Sequence, residues 1–428
     1  MTQIVKTVVL SKIFTFFVTL ISFFFISTAR SLIQINSLMY SSESKGMGSP
    51  SVDEDEIVHH QEPKSILITG GAGYIATHTI ICLLNAGYHV TVVDNLINSS
   101  EEGLRRVREI TGCENDKIRF YNVDMCNFDA LQKIFSESQT KFHSCIHFAG
   151  LKAVGESVDK PLLYYKNNLV STMNLLELMD KHGCHSLVFS SSATVYGTAE
   201  VPITEATPTG VGISNPYGKT KHMIEDIIHD FKKSKDLVKG SPRDWSVVIL
   251  RYFNPVGAHP SGRIGEDPNG PPNNLMPYIS QVAVGKRESL TVFGGDYPTK
   301  DGTGIRDYIH VMDLAEGHMS ALKFIESPLE LAAKSSSSKA AGYGEYSVFN
   351  LGSGIGYSVL DMVKGMQIAS GKEIAYKVGP RREGDVAVCY ADCTKAKEQL
   401  GWVAKRTLAD MCADSWRWQS NNPNGFKK

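Results

Sequence analysis

The chain has 428 residues, 42% of them hydrophobic and 21% charged, which is material for one large core or two joined domains and excludes a mini-protein or a disordered tail. Its formal net charge is -1 with Lys and Arg scattered, so no nucleic-acid face is indicated, and a substrate anion must be met by local arginines or helix N-termini. The eight cysteines, 82, 113, 126, 145, 184, 389, 393 and 412, include no CxxC pair, and no His accompanies the one close pair, so no metal site is read from them.

Residues 13–29, IFTFFVTLISFFFISTA, carry no charge, follow Lys6 and Lys12, and precede Arg30. Such a stretch is at the lower limit of the roughly 17 to 25 residues of a spanning helix, and Ser27-Thr28-Ala29 loosely matches the small-residue site of a cleaved signal peptide. A cleaved signal peptide and a membrane anchor both fit, as does a shorter product starting at Met39 or Met47. Ser, Gly and acidic residues fill 41–56, so residues 1–30 are taken as the hydrophobic segment and 31–62 as a linker.

From Lys64 the pattern becomes regular. Apolar runs at 65–69 (SILIT), 89–94 (HVTVVD), 117–124 (KIRFYNVD), 145–149 (CIHFA), 186–192 (SLVFSSS) and 246–252 (SVVILRY) alternate with helical stretches such as THTIICLLNAG and NLVSTMNLLELMDKHG. This alternation predicts an α/β fold with a parallel sheet covered on both faces, and its ligands belong at the carboxyl ends of the strands.

The first strand end reads TGGAGYIATH. Gly70, Gly73 and Ala76 set a GxxGxxA spacing between strand and helix, where small residues let backbone amides approach a pyrophosphate. Asp94 ends the next strand 21 residues after Gly73; its carboxylate suits ribose hydroxyls and repels a 2'-phosphate, favouring NAD over NADP. Downstream, SSSATVYG puts Ser190, Ser191, Ser192 and Thr194 at a strand end. NPYGKTK then opens a helix in which Tyr217 and Lys221, four apart, share a face. Alone, such a pair is usually surface decoration. Beside a nucleotide site it can be a base and its support, because an ammonium and a cationic nicotinamide both favour phenolate.

These motifs, together with HFAGLKAVGESVDKPLLYYKNN, LRYFNPVGAHPSGRIGEDPNGPPNNLMPY and FGGDYPTKDGTGIRDYIHVMDLA, resemble the UDP-glucose 4-epimerases (UDP-galactose 4-epimerases) of the extended short-chain dehydrogenase/reductase superfamily. The resemblance runs from 64 to about 420; the Ser/Lys/Ala stretch at 331–341 falls outside it and reads as a loop insertion. It implies a Rossmann-type doubly wound sheet binding NAD over residues 63–252. Residues 253–428 would be mainly a smaller α/β domain for the UDP-sugar, with segments exchanged between the two. A homodimer is the family default.

The resemblance also implies a reaction. Tyr217 takes the proton of the sugar's carbon-4 hydroxyl as hydride passes to retained NAD; the 4-keto sugar turns and is reduced on its other face. Ser192, with Thr194 nearby, shares a hydrogen bond with the reacting oxygen, and Lys221 holds the nicotinamide ribose and lowers the phenol's pKa. Tyr74 and Ile75 follow the glycine turn, Asp94 and Asn95 flank the adenosine, and Asp124 meets the adenine edge. Phe148, Ala149, Lys152, Asn167 and Tyr252 belong to the nicotinamide side, Lys152 also facing substrate. For the UDP-sugar, Asn254, Asn274 and Leu275 contact sugar, phosphate and uracil neighbourhoods. Arg306 and Arg382 pair with the diphosphate, and Asp385 accepts from the uridine ribose. Cys389 stands where family members carry either a bulky tyrosine or a small residue; a small side chain leaves room for an N-acetyl group, so UDP-GlcNAc and UDP-GalNAc join the expected substrates.

Three other functions compete. A 4,6-dehydratase needs an acidic pair beside the catalytic Ser or Thr, and SSSATVYG has none. A UDP-xylose/UDP-arabinose 4-epimerase of the secretory pathway would suit the hydrophobic N-terminus. A non-catalytic NAD- or UDP-sugar-binding protein would not need Tyr217, Lys221 and Ser192 together.

Overall fold

The computed structural model describes residues 64–138, 141–237, 245–270, 272–334, 344–382 and 384–427, with backbone alone for 327–334. The hydrophobic stretch at 13–29 and the linker expected at 31–62 therefore lie outside the described residues. Among the described residues, no helix is long and apolar enough to cross a membrane.

A seven-stranded sheet, all of whose neighbours run parallel, forms the larger layer. It comprises β1 (Ser65–Thr69), β2 (His89–Asp94), β3 (Ile118–Asn122), β4 (Phe142–His147), β5 (Ser186–Ser192), β6 (Ser246–Tyr252) and β10 (Tyr346–Leu351), in the order β10-β6-β5-β4-β1-β2-β3. The connecting helices are α1 (Tyr74–Asn85), α2 (Glu101–Thr111), α3 (Phe128–Glu137), α4 (Val154–Asp159), α5 (Pro161–Lys181) and α6 (Pro216–Asp236). Both faces are buried because successive residues point opposite ways. Ile66, Ile68, Val92, Ile146, Val188 and Val248 belong to a core shared with α1, α2 and the later helix Val311–Lys334, while Leu67, Val93, Cys145, Leu187, Phe189 and Val247 pack with α3, α5 and α6.

The later chain contributes β7 (Asn254–Val256), α7 (Leu275–Ala283), β8 (Leu290–Phe293), β9 (Ile305–His310) and α8 (Val311–Lys334), then β11 (Gly356–Ser358), α9 (Val359–Ser370), β12 (Tyr376–Gly379), β13 (Val388–Cys389), α10 (Thr394–Leu400) and α11 (Leu408–Asn421). Strand β9 is flanked by β11, β13 and β7, and β12 pairs with β8. A separate core of Val256, Met276, Ile279, Val292, Met362 and Met411 lies under these elements. Capping boxes at Ser358/Asp361 and Thr407/Asp410 start α9 and α11.

The sequence boundaries shift at three places. Strand β3 ends at Asn122, because β2 ends at Asp94 and Asp124 turns to accept from the Cys126 amide. Strand β4 runs from Phe142 to His147, starting earlier than CIHFA because its register begins opposite Ser65. The 331–341 stretch is not a loop throughout: α8 extends to Lys334, and 335–343 lie outside the described residues.

The sheet reverses its winding between β1 and β4. A crevice opens there at the carboxyl ends of the strands, the expected ligand position in an open α/β sheet.

Candidate active site

The walls of this crevice are mainly the segments that follow β1 to β6. They bring together Gly70, Gly73, Tyr74, Ile75, Asp94, Asn95, Asp124, Phe148, Ala149, Lys152, Asn167, Ser192, Thr194, Tyr217, Lys221, Tyr252, Asn254 and Asn274 around a cavity of about 290 Å³.

The glycine turn is built for close approach. Gly70 has φ 65, and a Cβ there would lie 2.7 Å from the Ala149 amide nitrogen. Gly73 caps α1 without any side-chain acceptor, so the first-turn amides are left for an anion. Asp94 locks the turn to the next loop: Oδ2 accepts from the Ala72 amide at 3.0 Å, and Oδ1 accepts from Leu96 N at 2.9 Å and Ser99 Oγ at 2.8 Å. Asp124 accepts from Asn95 Nδ2 at 3.3 Å. An uncapped helix N-terminus behind a carboxylate that ends β2 is the donor set a dinucleotide requires, and the residues fit NAD.

On the opposite wall, Asn215 caps α6 through Gly218 N at 2.8 Å, with Pro216 opening the helix. That fixes Tyr217 and Lys221 facing β5. Thr194 donates from its amide (3.2 Å) and hydroxyl (3.0 Å) to Ser192 Oγ, which lines the crevice with the Tyr217 phenol. Burial pushes the Tyr217 phenol above its ordinary value, and the Ser192 hydrogen bond works against it. Lys221 is brought down to about 8 by burial, opposed by Glu225, and its Nζ donates to the Ser190 carbonyl at 2.7 Å. Behind it, Arg251 grips both Glu225 oxygens in a buried ion pair at 2.6 Å, and Tyr252 meets Ser190 Oγ.

Lys152 Nζ reaches Glu266 at 3.1 Å, and the same Glu266 oxygen accepts from Asn274 Nδ2 at 2.8 Å. Asn254 donates to the Asp307 carbonyl and Asn167 to Asn168 Oδ1.

Leu275, Arg306, Arg382, Asp385 and Cys389 are absent from this wall. Four of them gather beside it: Arg306 and Arg382 both donate to Asp385, at 3.4 and 3.0 Å, and Cys389 pairs in register with Arg306 across β13 and β9. The Asp385 carboxylate is thus engaged by two guanidinium groups.

Sequence reasoning missed several residues in and behind this wall. Behind it, Asn168, 1% exposed, ties Leu151 N and O to Thr220 and so braces the β4 loop against α6. Glu266, Asp267 and Phe426 line the crevice itself. The only local signals were an acidic pair between Gly and Pro, and one aromatic in a polar tail.

Residues 67–415 match the family model described as GDP-mannose 4,6 dehydratase. A UDP-glucose 4-epimerase of Bacillus subtilis (strain 168) is 57% identical over 364 residues, 85% of this chain and 99% of that protein. The crystal structure of a UDP-glucose 4-epimerase from Bifidobacterium longum, in complex with NAD+ and UDP, is 49% identical with a TM-score of 0.76, covering 85% of this chain and 100% of that one. One from Stenotrophomonas maltophila, with bound NAD and formylated UDP-arabinopyranose, is 40% identical with a TM-score of 0.75, covering 84% and 99%.

Proposed function

The chain belongs to the UDP-glucose 4-epimerase family, and we propose that its crevice inverts carbon 4 of UDP-glucose and UDP-galactose with Tyr217 as the proton-transfer group. It is an NAD-dependent isomerase of the short-chain dehydrogenase/reductase superfamily. The observation that carries the assignment of roles is the gathering of Ser192, Thr194, Tyr217 and Lys221 in the same crevice as the glycine turn and Asp94, with Thr194 donating to Ser192 Oγ at 3.0 Å.

Bound NAD supplies a reversible hydride acceptor for carbon 4. The protein manages the proton and the orientation. Tyr217 Oη removes the carbon-4 hydroxyl proton and returns it after the 4-keto sugar has turned. Ser192, polarised by Thr194, holds the reacting oxygen. Burial by itself lifts the phenol, so its basicity must come from adjacent positive charge: Lys221 and the cationic ring of oxidised cofactor. The uncapped N-terminus of α1 takes the pyrophosphate, and Asp94 the adenosine ribose, with Asn95 and Asp124 beyond it. Lys152, Asn254 and Asn274 face the substrate, while Arg306 and Arg382 turn from Asp385 to the diphosphate.

The matching family model bears a dehydratase's description, yet Ser190–Tyr196 contains no carboxylate to eliminate water. Neither the pentose epimerase nor a non-catalytic binder is favoured by relatives that carry the hexose epimerase name. The test is to incubate the purified protein with UDP-galactose and, separately, UDP-arabinose, without added NAD. Conversion of UDP-galactose to UDP-glucose is expected; inert UDP-galactose beside a turned-over pentose would reverse the reading.

Cys389, small and adjoining Arg306, is read as admitting the N-acetyl sugars. Loss of UDP-GalNAc turnover in Cys389→Tyr, with UDP-galactose turnover retained, supports this; no turnover of the acetylated pair by the parent protein defeats it. Exposed Val154, Val158, Leu162, Leu163, Met173 and Met223 on α4, α5 and α6 suit a second copy of the chain. Sedimentation of Leu162→Glu as a monomer and of the parent as a dimer is expected, and a monomeric parent ends that proposal.

A further inference from the structure

The carboxyl-terminal turn sits on the cofactor side of the crevice. Phe426 lines the wall with Ile97, Ser99, Ser100 and Asp267, although more than 300 residues separate it from the glycine turn. Its position is fixed from several directions. The Phe426 amide donates to Asp267 Oδ2 at 2.8 Å. Its ring packs 5.0 Å from that of Trp418, and the Arg106 guanidinium lies 5.1 Å from its centroid. A Cβ added at Gly103, on α2 beside the glycine turn, would meet Phe426 Cζ at 3.6 Å and the Ala72 carbonyl at 3.7 Å.

The backbone is shaped for that contact. Gly425 has φ 71, and a Cβ there would fall 1.9 Å from Asp267 Oδ1, so only glycine lets the turn close on the acid. Arg106 Nη1 donates to Asn422 Oδ1 at 2.6 Å, and Asn422 Nδ2 to the Gly262 carbonyl at 2.9 Å. The loop that carries Asp267 reaches on to the Asp94 side: Asn269 Nδ2 donates to the Ile97 carbonyl at 3.2 Å. Phe426 is nevertheless only half-buried. An aromatic ring held this firmly at the crevice, and only partly buried, is a ready-made wall for whatever fills it.

We propose that the carboxyl-terminal turn, through Phe426 held on Asp267, closes the adenosine side of the crevice and slows the escape of NAD, making it a resident group. This rests on the NAD assignment above. Phe426 is a positioning and retaining residue; it has no part in the proton transfer. The loop after β2, the acid loop and the tail must then part together before the nucleotide can leave, whereas the sugar nucleotide enters from the side of Lys152 and Asn254.

The test uses the full chain purified with its cofactor. Phe426→Ala removes the ring, and Gly425→Ala keeps every other side chain while pushing the turn off Asp267. NAD per chain is measured after extended buffer exchange, and its exchange with isotopically labelled NAD is timed. About tenfold faster exchange, corresponding to about 1.4 kcal/mol, is expected in both variants, with Phe426→Tyr close to the parent. Folding is monitored by thermal unfolding with saturating NAD. A merely structural role predicts a lower unfolding temperature with unchanged exchange, and that result overturns the proposal, as does parental exchange in both variants. If the parent chain itself carries and binds no NAD, the cofactor assignment falls instead.

Discussion

Replacing Lys221 by methionine separates what the residue does for catalysis from what it costs the fold. In the ligand-free chain burial takes Lys221 from 10.5 to about 8, although its Nζ donates to the Ser190 carbonyl at 2.7 Å. A folded pKa below the unfolded value means that the folded state binds the proton less tightly. The penalty is complete below pH 8 and disappears as pH rises through 10.5. Two to three units correspond to about 3 kcal/mol at pH 7, falling to about 1 kcal/mol at pH 9.5. Methionine escapes the penalty but leaves the Ser190 carbonyl without its donor, a loss of about 1 to 2 kcal/mol. NAD-free Lys221→Met should therefore be about 1 to 2 kcal/mol more stable than the parent at pH 7. That advantage should shrink by about 2 kcal/mol at pH 9.5, where any titrating tyrosines affect both proteins alike. Equilibrium urea unfolding at the two pH values measures it, while kcat for UDP-galactose should fall by about 10²-fold or more. A variant less stable than the parent at pH 7, or an advantage independent of pH, would refute the reasoning about the buried ammonium.

Tyr217→Phe should lower kcat by about 10²- to 10⁴-fold with NAD content per chain nearly unchanged, because the hydroxyl's main part is the proton transfer and the glycine turn and Asp94 remain to hold NAD; chromatographic product assays and released NAD check both halves. Thr194→Val removes one donor into Ser192 and should shift the alkaline-rising limb of the kcat profile upward, since the phenolate loses part of the chain that stabilises it. Glu225→Gln leaves Arg251 without a counter-charge in a buried site and should cost about 3 to 5 kcal/mol in urea unfolding, and it should push Lys221 further down because the Glu225 charge opposes the effect of burial.

What could be read from the chain was what lies close together along it. The glycine turn follows β1 directly, Asp94 closes the next strand, and Asn215-Pro216 caps the helix that carries Tyr217 and Lys221, so spacing sufficed. The remaining walls depend on pairings that spacing does not encode. Glu266 joins Lys152 to Asn274, Asn168 joins the β4 loop to α6, and β10 enters the sheet beside β6 from almost 100 residues further on. Each looks ordinary in its own neighbourhood: an acid between Gly and Pro, one Asn of a pair, a short apolar run. The same distinction accounts for the difference at Tyr217. A helical repeat places the lysine on the right face, but whether a phenol ionises depends on how much water the other loops remove, and here they bury it enough to raise its pKa. The protein thus prepares a neutral phenol in the crevice, with the Ser192 hydroxyl beside it. In the proposed mechanism it becomes a base under the combined positive charge of Lys221 and the oxidised cofactor, which would tie proton removal in part to the presence of that cofactor.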